Sequence, residues 1–141
     1  MSRDLANRLL MICALLFLLV ACVVALIVIP AVGADISPNA VPERAEPPFW
    51  VNVALSLLLA ASCGAVAFTS KGRDRISTTT LVALGIIALL LGLALVDAAS
   101  AFRSHEMLAQ GISMFLFLCA AVDLLAGALV IVVAFRRPRA V

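Results

Sequence analysis

The chain has 141 residues, 65% hydrophobic and 13% charged, with a formal net charge of +2. A water-solvated domain carries about 45–50% apolar and about 25% charged residues, so this composition argues against one. The small charge excess argues against nucleic acid as a partner and leaves the lipid bilayer as the expected solvent.

The first apolar stretch is Leu9–Pro30, preceded by Arg3 and Arg8. A helix of about 20 residues crosses a ~30 Å hydrocarbon core. Leu19-Val20-Ala21-Cys22 resembles a lipoprotein cleavage box, and Val32-Gly33-Ala34 resembles an ordinary signal-peptidase site. The run is longer than the about 7–15 apolar residues of a usual signal segment, which predicts an uncleaved span. Its alanines Ala14, Ala21 and Ala25 make a weaker small-residue stripe than the other spans carry. That predicts a more lipid-facing helix.

Residues 31–49 form the longest connection. They hold Pro38, Pro42, Pro47 and Pro48 with Asp35, Glu43, Arg44 and Glu46. Proline removes backbone donors and favours extended chain, so an external strap or a docking arm is expected here.

The second stretch is Trp50–Thr69, with Asn52, Ser56, Ala60 and Gly64 at intervals of four. A short basic link with Lys71, Arg73 and Arg75 follows. The third stretch is Leu81–Phe102, interrupted by Asp97, with Gly85, Gly92 and Ala99 at intervals of seven. A brief link with Arg103 and His105 leads to the fourth, Ile112–Phe135. That span is interrupted by Asp123, which stands in the series Cys119, Asp123, Gly127. Small residues repeated on one face let helices approach closely in lipid. Arg136, Arg137 and Arg139 close the sequence.

Helices are the expected form, because every backbone polar group within lipid needs an internal partner. The short links predict an all-α, integral membrane four-helix up-down-up-down bundle. One transmembrane domain would cover residues 1–141, with spans at about 9–30, 50–69, 81–102 and 112–135. Eight of the ten basic residues would then share one side, with Arg44 and Arg103 opposite. The positive-inside rule places both termini in the cytoplasm of a multi-pass plasma (inner) membrane protein, with Trp50 at the outer interface. The Ala-, Leu- and Arg-rich composition and the lipoprotein-like box point to a bacterial source.

Asp123 is the residue that most needs a reason. It lies roughly 18 Å from either end of its span at about 1.5 Å per residue. An acid there costs about 2.5–3.5 kcal/mol on insertion scales. No Lys, Arg or His stands at that depth in the chain. Three arrangements answer it: a neutral carboxyl bonded to Ser62 or a backbone carbonyl, an anion in a water-filled cavity, or a polar group from another chain. Asp97 lies nearer an end, where Asn52, Ser56, Arg103 and His105 could join it in a polar network. These residues, Asp123, Asp97, Ser62, Asn52 and Ser56, are the candidate intramembrane polar and interaction site.

Cys13, Cys22, Cys63 and Cys119 all fall inside spans without a CxxC pair. They are expected to be packing residues rather than a disulfide or metal set. The one histidine is expected to be solvated, and no cofactor, metal or nucleic acid is expected. No Ser/His/Asp set and no HExxH occurs, so the chain is not read as an enzyme. The expected role is a non-catalytic accessory or interaction subunit of a larger membrane complex, with another membrane protein or a homo-oligomer as partner. The alternative is a small oligomeric proton- or cation-coupled channel or carrier using Asp123.

Overall fold

The computed structural model describes residues 2–30, 46–69, 78–101 and 107–136. All the elements it describes are helical. They are α1 (Arg3–Val23), α2 (Glu46–Thr69), α3 (Thr78–Ala101) and α4 (Met107–Arg136), with a π-helical turn, Val24–Val28, continuing α1. Four stretches are long and apolar enough to cross a membrane: Arg3–Val28, Phe49–Phe68, Thr78–Ser100 and Gln110–Arg136. They point to a multi-pass membrane protein. Residues 31–45, 70–77, 102–106 and 137–141 lie outside the described residues, and so do the expectations attached to them, while Glu46–Phe49, expected in the extended first connection, instead open α2.

α1 starts where its sequence can satisfy the free amides of a first turn. The Ser2 side chain accepts a hydrogen bond from the Leu5 amide at 3.3 Å, and the Ser2 carbonyl accepts one from Ala6 at 3.1 Å. Asp4 adds negative charge at the positive end of the helix dipole.

The far end of α1 widens for a reason also written in the sequence. Pro30 has no amide hydrogen, and its ring would press on the carbonyl of residue 26 in a regular α-helix. The chain shifts instead to longer bonds, with the Ile29 amide reaching the Val24 carbonyl five residues back. A π turn of this kind relieves the clash without breaking the span.

Helix pairing is uneven. α3 packs most extensively on α4, α1 on α2, and α1 again on α4, whereas α2 and α3 barely touch. The α3–α4 seam is the tightest. A Cβ built on Gly127 would lie 3.0 Å from the Ala88 Cβ, 3.0 Å from the Gly85 carbonyl oxygen and 3.2 Å from the Leu89 nitrogen. One on Gly92 would meet the Leu124 side chain at 2.8 Å and the Ala120 oxygen at 3.2 Å, and one on Gly85 would meet Ile131. Farther along, Ser113 Oγ donates to the Ala99 carbonyl at 3.0 Å. Residue numbers fall along α4 as they rise along α3, so the two helices run antiparallel across this seam. Lipid gives little drive to bury apolar surface, so close backbone approach supplies the dispersion contacts that hold such a pair.

About 33% of the α1 span is buried, level with α3 and below α2 at 39% and α4 at 44%, in keeping with a more outward-facing helix. α1 buries Ala6, Leu10, Cys13, Phe17, Val20 and Val24 completely or nearly so, on a three-four spacing. It has neighbours on two sides, α2 and α4. On α2 the buried line runs through Phe49, Asn52, Val53, Ser56, Leu59, Cys63 and Val66. The four-residue series Asn52, Ser56, Ala60, Gly64 does not stay with it. Steps of four advance about 40° beyond a full turn each time, so the series drifts out of the seam. Gly64 ends up where an added Cβ would meet nothing within 4 Å.

The outward faces of all four helices are apolar. They include Leu15 and Leu26 on α1 and its π turn, Trp50 and Leu58 on α2, Leu90 on α3 and Leu125 on α4, each at least 60% exposed. A water-facing protein would not present such a belt on every side.

Candidate functional site: a sealed carboxyl among packed helices

Asp123 has no exposed surface. The buried positions of α4 include Leu116, Cys119, Ala120, Ala126, Gly127 and Val130. At about 100° per residue, Asp123 stands near the middle of that arc, with Ala126 roughly 60° to one side and Gly127 roughly 40° to the other. The Ala126 side meets α1, where Cys13 Sγ lies 3.7 Å from the Ala126 carbonyl and donates to it. The Gly127 side meets α3. The carboxyl therefore starts from the face that both neighbours cover.

Its two oxygens have no hydrogen-bond partner among the described residues. The bond to Ser62 or to a backbone carbonyl does not form. Ser62 is only half-buried, on a different face of α2 from Ser56. Residue counting along α2 and α4 puts Ser62 and Asp123 at a similar depth, but depth does not fix the direction each faces.

Asn52 and Ser56 are buried on α2, and Ser56 Oγ donates to Asn52 Oδ1 at 3.5 Å. With Asp123 they are the buried polar side chains among the described residues. Asp97 does not join them. It is exposed, and its carbonyl accepts a hydrogen bond from Ser100 Oγ at 2.7 Å. Arg103 and His105, the basic groups expected near it, lie outside the described residues. The set thus divides into a buried pair on α2, a separate buried acid on α4, and two residues, Asp97 and Ser62, away from both.

The apolar interior divides at the same level. One cluster gathers Val20, Val24, Phe49, Val53, Leu95 and Leu116 with their neighbours. The other gathers Leu10, Phe17, Leu59, Leu91, Ala126 and Val130 with theirs. In sequence, Ser56 on α2, Gly92 on α3 and Asp123 on α4 each fall between members of the two clusters. A hydroxyl, a missing side chain and a carboxyl interrupt what would otherwise be one apolar column. The sequence pattern held this clue: Ser56, Gly92 and Asp123 are each the break in an apolar run.

Among the described residues, no group of three or more His, Cys, Asp or Glu could hold a metal ion. Cys13, Cys63 and Cys119 are buried free thiols and Cys22 is exposed. Chemically, the site offers one carboxyl in a water-poor setting and one hydroxyl–amide pair. Comparison with protein-family models, curated proteins and solved structures finds no match for this chain.

Proposed function

We propose that this chain is an up-down-up-down protein of a bacterial plasma membrane, with both termini in the cytoplasm, and serves as a non-catalytic accessory subunit. Its task is to pack against another membrane protein within a larger complex. The observation that carries this reading is the unfilled strip on α2. Ala60 and Gly64 are only half-buried, Ala61 and Ala65 are exposed, and none of the described residues closes on Gly64. Small residues four apart on an uncovered face are the surface that a further membrane helix approaches.

Gly64→Leu tests the reading. The substitution meets open space, so the bundle should keep its own stability or gain up to about 1 kcal/mol through helix propensity. The expected result is loss of the larger species on native gels of solubilised membranes, with the chain recovered at lower mass. An unchanged assembly in a variant that is well folded would contradict an α2 interface.

One observation favours a second reading, a small oligomeric proton- or cation-coupled channel or carrier. Asp123 is wholly buried with both oxygens unpartnered, and intramembrane acids are costly groups usually retained for work. A partner's side chain could not reach Asp123 without parting α4 from its neighbours, so the accessory reading leaves this acid without a task.

A further inference from the structure

At the end of the bundle where α1 begins and α2 finishes lies a cavity of about 290 Å³. Asp4, Asn7, Arg8, Met11, Ala67 and Phe68 line it. Its lining has two characters. The first turns of α1 supply a carboxylate, an amide and a guanidinium. Met11, one turn further into the span, and the last turn of α2 supply apolar surface, with Phe68 73% exposed. Asp4 and Arg8 stand four residues apart, a spacing at which opposite charges on a helix commonly pair. Among the described residues no ion pair joins them. An acid and a base therefore face one small cavity without neutralising each other.

We propose that this cavity seats the headgroup of a phosphoethanolamine lipid. Its phosphate meets Arg8, its ammonium meets Asp4, and the upper acyl chain lies over Met11 and Phe68. The proposal rests on the membrane reading above, which sets the start of α1 and the end of α2 in the headgroup layer. Charge decides among headgroups. A guanidinium presents a planar fork that matches phosphate oxygens. A carboxylate accepts charge-assisted bonds from an ammonium that carries N–H groups. A trimethylammonium has none to give, and a phosphoglycerol head brings no cation to Asp4.

The test uses the full chain in detergent, incubated with equal amounts of phosphatidylethanolamine, phosphatidylcholine and phosphatidylglycerol of the same acyl chains. Retained lipid is read by native mass spectrometry. Retention of the ethanolamine lipid should exceed that of the other two by roughly tenfold, the worth of one charge-assisted hydrogen bond. Arg8→Gln should lower retention of all three lipids, and Asp4→Asn should bring ethanolamine and choline lipids level. Equal retention by the unaltered protein would overturn the proposal, with no variant needed. Displacement of the lipid by millimolar soluble phosphoethanolamine would overturn the lipid as the source. Release of the chain from membranes by alkaline carbonate would instead defeat the membrane reading. Equal retention in a carbonate-resistant protein would defeat this site alone.

Discussion

Asp123→Val should make the bundle harder to unfold. The carboxyl has no exposed surface and no hydrogen-bond partner among the described residues. A buried polar group in that state weakens a fold. Insertion scales separate Asp from Val by about 3 kcal/mol at a helix centre. Valine is somewhat bulkier than aspartate, and repacking takes back part of the gain. A net stabilisation of about 2 kcal/mol is expected, measured as a shift in the unfolding midpoint in mixed micelles. Destabilisation instead would mean that the carboxyl makes a bond the fold needs.

The same variant separates the two functional readings. Under the accessory reading, Asp123→Val and Asp123→Asn leave the native assembly at full size, because the acid is sealed inside this chain. Under the carrier reading, both abolish proton- or cation-driven flux in proteoliposomes. Flux present in the unaltered protein and lost in both variants would move the assignment to the carrier.

Gly127→Leu should have the largest destabilising effect of any substitution at a described glycine. The groups nearest an added Cβ there are the Ala88 Cβ and the backbone of Gly85 and Leu89, between 3.0 and 3.2 Å away. None of these is a flexible side-chain end that could swing aside. The helices must part, and the most extensive pairing in the bundle weakens with them. The expected loss is about 3 kcal/mol, the upper end for overpacking. Gly92→Leu should cost less, because the atoms nearest its Cβ belong to the Leu124 side chain, which can change rotamer. Gly111→Ala serves as the control. A Cβ there meets nothing within 4 Å, so the change should stabilise by up to about 1 kcal/mol through helix propensity. Equal losses at Gly127 and Gly111 would refute the close α3–α4 contact.

What could be read in advance followed from contrast. Gly85 and Gly92 stand out in an otherwise bulky span, and their seven-residue spacing keeps them on one face. The structure places both in the α3–α4 seam. The α1 seam had no such contrast. Leu10, Phe17 and Val24 face helices while Leu5, Ile12, Leu15 and Leu19 face outward, yet both sets are equally apolar. When lipid is the solvent, hydrophobic periodicity no longer separates inside from outside. The π turn has its cause in Pro30, but neither the turn nor its length was expected, because the cost of the ring can be spread over a variable number of residues. The isolation of Asp97 from Asn52 and Ser56 was hidden for a different reason. Depth along a span follows from counting, but azimuth depends on which helices pair, and the sequence leaves that pairing open.

The proposed crossing of the bilayer by four alternating helices underlies every functional statement above. Single-cysteine labelling with a membrane-impermeant reagent, in a background lacking the native cysteines, tests it directly. Ser2→Cys, Lys71→Cys and Arg139→Cys should react only from the cytoplasmic face, and Pro38→Cys and His105→Cys only from the other. Reaction of Lys71→Cys on the opposite side from Ser2→Cys, or of Pro38→Cys on the same side, would contradict the account.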